Sequence, residues 1–149
     1  MTVAIEEAVQ AAAEGEVPVG AVAVLEDRLI AREHNRSIQL NDPTAHAEIL
    51  LLRKVGNVLR NYRLGGVQVY VTLEPCAMCA GALIWARVDL LVFGARDLKA
   101  GAVRSQARLL EPGRFNHIVP FVEGVLEEQC RELLQDFFRA RRAGSSRYP

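Results

Sequence analysis

Residues 67–86 read V-Q-V-Y-V-T-L-E-P-C-A-M-C-A-G-A-L-I-W-A. They restrict the fold more than any other stretch. Apolar and polar positions alternate and β-branched residues abound up to Leu73, which is the pattern of a half-buried strand. Pro75 then suits the first turn of a helix, where its missing N–H costs nothing. The helix that follows is apolar nearly all round. A strand feeding directly into a buried helix implies a layered α/β domain, and it carries Cys76 and Cys79 where the strand hands over to the helix. The chain has 149 residues and only three cysteines. A zinc site of cysteines alone needs four thiolates, and a secreted disulfide framework needs an even number. The partners of this pair must therefore be of another kind.

The rest of the chain repeats the interleaving. Ile5, Ala8, Val9 and Ala12 share one face of a first helix that Gly15 and Pro18 end. V-G-A-V-A-V-L and R-L-I-A-R-E-H-N are two strands joined by a turn at Glu26-Asp27. A polar loop leads to Thr44, expected as the N-cap of a largely buried helix, A-H-A-E-I-L-L-L-R-K-V. D-L-L-V-F-G-A is a short buried strand. R-D-L-K-A-G-A-V-R-S is an exposed loop with a short helix beyond it. I-V-P-F-V, interrupted by Pro120, belongs at a sheet edge. A last helix puts Leu126, Cys130, Leu133, Leu134, Phe137 and Phe138 on one stripe, with Cys130 in the core and the two phenylalanines packed there. The expectation is one domain over residues 1–149, frayed only in the final G-S-S-R-Y-P. Its sheet is mixed, about five strands, with helices on both faces in three α/β/α layers. The helix bearing Trp85 has two apolar faces. One covers the sheet, and a dimer interface or another helix of the chain covers the second.

Eighteen basic and eighteen acidic side chains give zero formal charge, which argues against a generic nucleic-acid binder. The charges are not evenly spread. Arg139, Arg141, Arg142 and Arg147 follow Asp136 with no acid among them, and Arg96, Lys99, Arg104 and Arg108 face only Asp97. A local basic rim on a neutral body results. No apolar run is long enough to span a bilayer, the N-terminus lacks a signal-peptide pattern, and the low odd cysteine count suits a reducing cytoplasm.

Of His34, His46 and His117, only His46 stands in a suggestive context, T-A-H-A-E-I, with Glu48 two residues on. His46 and Glu48 fall in the first turn of one helix, Cys76 and Cys79 in the first turn of another. Side chains lean toward a helix N-terminus, so two helix starts converging at one sheet edge would bring all four together. Helix N-termini favour thiolate over thiol. One imidazole and two thiolates on zinc leave a fourth position open, the mark of a catalytic ion, with Glu48 beside it as a base. The blander readings are a redox pair at Cys76 and Cys79, a core histidine at His46, an early-helix charge at Glu48, and structural or exposed roles for His34 and His117.

H-A-E followed by P-C-A-M-C is the H-x-E…P-C-x-x-C signature of the zinc-dependent cytidine/deoxycytidylate deaminase superfamily. E-V-P-V-G-A-V, H-N-R, D-P-T-A-H-A-E-I, N-Y-R-L, V-F-G-A-R-D and D-F-F-R-A-R-R extend the likeness from about Val3 to Arg142. In these motifs the chain resembles the bacterial tRNA-specific adenosine deaminases. The resemblance implies that His46, Cys76 and Cys79 hold one zinc ion per subunit and that Glu48 shuttles protons. It implies that Asn35 and the backbone at Ala47 meet the nucleoside, and that Asp97, Lys99, Arg139, Arg141 and Arg142 are candidate RNA contacts. It further implies a homodimer acting in the cytoplasm on a tRNA anticodon stem-loop, converting the wobble adenosine of an arginine tRNA with an ACG anticodon to inosine. Ser37 follows H-N-R where close relatives have proline, and the tail lacks a lysine-rich extension. The same zinc chemistry also serves deamination of free guanine or cytosine, and a silent zinc module that only binds RNA is the non-enzymatic alternative. An unliganded glutamate beside the metal speaks against the latter.

Overall fold

Nine elements alternate along the chain in a computed structural model that describes residues 1–145. They are α1 (Thr2–Ala13), β1 (Gly20–Leu25), β2 (Arg28–His34), α2 (Ala47–Leu59), β3 (Gln68–Leu73), α3 (Ala77–Ala86), β4 (Leu90–Ala95), β5 (Phe121–Val122) and α4 (Glu127–Ser145). The five strands form one mixed sheet in the order β2-β1-β3-β4-β5. β1 runs antiparallel to both β2 and β3, whereas β3, β4 and β5 are parallel. Glu26 and Asp27 both have positive φ, 49° and 60°, so the β1–β2 hairpin closes on a turn whose twist matches the strands. Pro120 does mark the sheet edge, where β5 is only two residues long.

α1 and α4 pack on one face of the sheet and touch each other, while α2 and α3 cover the other. The expected three layers are therefore present. Val69 and Val71 of β3 join Leu91 and Phe93 of β4 and Ala80, Leu83 and Ile84 of α3 in the core. Gly94 points the opposite way, as strand alternation requires. A Cβ there would lie 2.4 Å from Cys130 Sγ and 2.8 Å from the Thr72 carbonyl oxygen, so α4 seats on the sheet only because position 94 has no side chain. Cys130 is buried in the core as expected.

Four local expectations are corrected. The buried face of α1 is Ala4, Glu7, Ala8 and Ala11, and Val9 is 50% exposed. The helix is rotated because Arg32 and His34 of β2 draw Glu7 inward as an ion-pair partner. Thr44 does not cap α2. Its N–H and hydroxyl both donate to Asp42 Oδ1, and the helix starts later, with His46 as N-cap. Pro75 likewise precedes α3, whose N-cap is Cys76. Residues 96–105 are not simply an exposed loop leading to a helix: they form turns, and Gly101, Ala102 and Val103 are buried. Gly144 and Ser145 continue α4, and the remainder of the stretch expected to fray, with Arg147, lies outside the described residues. Phe137 is half-buried and packs edge-on to the more exposed Phe138.

Candidate active site

The carboxyl ends of β2, β3 and β4 and the amino end of antiparallel β1 all lie along the same side of the sheet. The crevice outside strand ends is where α/β folds place ligands. Here the crevice is a cavity of about 270 Å³, lined by Asn35, His46, Glu48, Glu74, Cys76 and Asp97 among others. α2 and α3 begin at this edge. Their N-cap residues have extended backbones, with φ/ψ of −73°/153° at His46 and −72°/175° at Cys76, and neither side chain caps its own helix. Both are left free to turn toward the space between the helices.

There they meet. His46 Nδ1 lies 3.7 Å from Cys76 Sγ and 3.5 Å from Cys79 Sγ, and the three donor atoms lie within 4.8 Å of one another. A tetrahedral zinc with ordinary Zn–S and Zn–N bonds has an S···N edge of about 3.6 Å, so the donors fit the ion in spacing as well as in type. The protonation pattern agrees. A hydrogen bond from the Cys79 thiol, with further help from His46, brings Cys76 down to about 4. Cys79, the proton holder in that bond and deeply buried, is pushed up. Two thiols that share one proton form a thiolate site from which a cation displaces the proton that remains. The hydrogen bond to Cys76 raises His46.

Glu48, in the second position of α2, is buried beside the cluster. Burial raises its carboxyl to about 7. Asn35 Oδ1 accepts a hydrogen bond of 2.8 Å from the Ala47 N–H, which ties the end of β2 to the start of α2 and engages that N–H within the protein. Asp97 lines the cavity and its Oδ1 accepts from the N–H groups of Lys99 and Ala100. Lys99 is exposed at the same loop. Arg141 donates to the Gly15 carbonyl at 3.0 Å and stacks over Phe137, beside the turn that carries Glu16 and Val17 into the cavity. Arg139 pairs with Asp136, and Arg142 is exposed in the last turn of α4; neither is brought to the cavity wall.

Three residues of this region were not singled out by the sequence. Glu16 accepts from the Gln39 N–H and lines the cavity. His34, assigned a structural or exposed place, is buried between Glu7 and Glu14. Glu74 gathers the 97–105 loop. The E-P-C order was visible, but nothing local says that this glutamate turns inward.

Residues 1–95 match the family model for the cytidine and deoxycytidylate deaminase zinc-binding region. The chain belongs to that family. It is 48% identical over 143 residues to the tRNA-specific adenosine deaminase of Haemophilus influenzae, covering 95% of this chain and 83% of that one. A structure solved in a study of A-to-I editing by tRNA:A34 deaminases at the wobble position of transfer RNA superimposes with a TM-score of 0.87. It is 46% identical and covers 90% of this chain and 97% of its own. A guanine deaminase from Nitrosomonas europaea gives a TM-score of 0.79 at 25% identity, covering 91% of this chain and 81% of its own. The fold, the zinc-binding centre and hydrolytic deamination as the class of chemistry follow from this membership.

Proposed function

We propose that the protein hydrolyses adenosine to inosine at the wobble position of a tRNA anticodon loop, the arginine tRNA with an ACG anticodon being the first substrate to test. The observation that carries the reading is a buried carboxylate, Glu48, set beside three convergent soft donors at the floor of an open cavity. High identity to tRNA-specific adenosine deaminases over nearly the whole chain favours RNA-borne adenosine over free guanine, whose deaminase is more distant.

Zinc held by His46 Nδ1, Cys76 and Cys79 supplies Lewis acidity and makes water a usable nucleophile at neutral pH. Glu48 then does the proton work. It takes a proton from the attacking water and delivers it to N1 of the adenine, which makes C6 receptive. It next returns a proton to the amino group, which leaves as ammonia. Asn35, its Oδ1 held by Ala47, presents its amide N–H donors to the nucleoside. The backbone around Ala47 walls the base. Asp97 and Lys99 flank the opening, and the arginines of α4 supply charge to the phosphates nearby. An anticodon loop offers its bases unstacked at low cost, which suits a cavity that closes round a single base.

The active form is proposed to be a homodimer. Trp85 is 77% exposed, and with Val58 and Tyr62 it borders a broad groove between α2 and α3. A second copy of the chain covers such an apolar surface. Trp85→Glu should shift the sedimenting species to monomer, and an unchanged dimer would remove this interface. The tRNA substrate and three unpaired thiols are in keeping with a reducing cytoplasm, and no helix among the described residues is long and apolar enough to cross a membrane.

The deciding experiment incubates zinc-loaded protein with the ACG-anticodon tRNA, digests the RNA and separates the nucleosides. Inosine at the wobble position is expected. Turnover of free guanine or cytosine with the tRNA untouched would replace the reading with the free-base alternative.

A further inference from the structure

The wall of the cavity contains a second buried carboxylate that the proposed chemistry does not use. Glu74 follows β3 directly and is 2% exposed. Its Oε1 accepts from the N–H groups of Val103 at 3.1 Å, Arg104 at 2.6 Å and Ser105 at 2.8 Å. Its Oε2 accepts from the Asp97 N–H at 3.0 Å and the Ser105 hydroxyl at 2.5 Å. A carboxylate has about four lone-pair sites, and five donors from one loop occupy them. Nothing remains with which to bind water, a base or a proton in transit. Glu74 is thus unsuited to catalysis and well suited to holding that loop.

The loop needs holding. Residues 96–106 form no helix or strand. Their other ties are few: Ala102 N–H to the Pro75 carbonyl, Gly101 N–H to the Asp97 carbonyl, and Gln106 to Gly101 and Leu98. The backbone lies so close to the carboxylate that a Cβ at Gly101 would sit 2.3 Å from Glu74 Cδ. On its outer side the loop offers Asp97 and Ala100 to the cavity, with Leu98, 72% exposed, and Lys99 beside them. The groups assigned to chemistry, His46, Glu48, Cys76 and Cys79, sit instead at the starts of α2 and α3 and do not depend on the loop for support.

We infer that Glu74 is a positioning residue for substrate: it clamps the 97–105 loop over the mouth of the cavity and thereby sets the affinity for RNA while leaving the rate of the chemical step unchanged. This rests on the tRNA reading above. The clamp requires a carboxylate. Each oxygen faces only donors, so an amide in either orientation sets its NH2 group against N–H groups. An aspartate is one methylene too short to meet both halves of the loop.

The test compares wild type, Glu74→Gln and Ser105→Ala as zinc-loaded full chains on an ACG anticodon stem-loop, with zinc content and amide hydrogen exchange measured on the same samples. Glu74→Gln should keep one zinc per chain and a kcat within about threefold while KM rises at least about tenfold. Exchange should accelerate across 97–105 and stay unchanged in α2 and α3. Ser105→Ala removes one donor of five and leaves the Cys76 segment untouched, so it should move KM and loop exchange the same way by less. A fall in kcat with KM unchanged, loss of zinc from Glu74→Gln, or unaltered exchange of the loop in both variants would overturn the inference. If wild type makes no inosine, the tRNA reading has failed, and loop exchange with zinc retention still decides whether Glu74 is the clamp.

Discussion

Truncating Glu7 tests how the pocket is braced from behind. The His34 ring is 4% exposed and lies between two carboxylates, Nδ1 2.7 Å from Glu7 Oε2 and Nε2 3.0 Å from Glu14 Oε2. Arg32 donates to the other oxygen of Glu7. Glu7→Ala therefore strands one nitrogen of a buried ring and half of an arginine pair. Removing one partner of a fully buried ion pair costs about 3–5 kcal/mol. Glu14 stays on the second nitrogen and Arg32 is partly solvated, so about 2–3 kcal/mol is expected here. At about 2–4 °C per kcal/mol for a chain of this size, Tm should fall by about 5–10 °C. The assay is urea unfolding of zinc-loaded wild type, Glu7→Ala, His34→Leu and the double variant at pH 7. Each single change leaves the other partner buried and unpaired, so the double variant should be less destabilised than the two singles summed, by about 1 kcal/mol or more. Simple additivity would refute the brace. pH supplies a second reading. Burial pushes the Glu7 carboxyl up, but the bonds from His34 and Arg32 outweigh it and hold it below its ordinary 4.5. A carboxylate lowered in the folded state stabilises fully above 4.5 and loses that contribution as pH falls through its folded value. The penalty of Glu7→Ala should thus be complete at pH 7 and shrink in acid; a penalty that grows in acid would contradict the sign. His34 immediately precedes Asn35, so substrate affinity should weaken alongside stability.

Glu48→Gln should retain one zinc per chain by elemental analysis and lose about 10²–10⁴ in kcat; near-wild-type turnover would remove Glu48 from the proton path. Chelating the metal should abolish deamination and lower Tm, with both restored by added zinc, because the donors that close the two helix starts would otherwise be left facing one another. Gly94→Ala should cost about 1–3 kcal/mol by overpacking against Cys130 and the Thr72 carbonyl. Cys130→Ala in the same chain should recover part of it, and a Gly94→Ala variant as stable as wild type would show that α4 seats otherwise.

The features readable in advance were those encoded over a few adjacent residues. The turn at Glu26-Asp27, the strand ending at Leu73, and the pairs His46/Glu48 and Cys76/Cys79 carry their meaning in short spacing, and their convergence followed from where helices begin in an α/β layer. The features misread depend on residues distant in the chain. Thr44 has the composition of a cap, but Asp42 captures it first. Val9 is more hydrophobic than Glu7, yet Arg32 and His34, some 25 residues on, turn the glutamate inward. The 97–105 loop reads as polar surface because its anchor, Glu74, lies on the preceding strand–helix junction. In each case a buried ion or hydrogen-bond network overrode local hydrophobic pattern, and such networks leave no periodic trace.

His46 and Cys76 each occupy the position where a helix ordinarily places serine or aspartate to satisfy its own first-turn amides. The enzyme gives up those two caps so that its donors can face each other. A duplicated copy freed from the need to catalyse would have an easy route to inertness: one replacement by aspartate or serine at either place would tighten the scaffold while discarding the ion. Silent paralogues of such a chain should accordingly be sturdier than their active parent, with the change found at those two positions first.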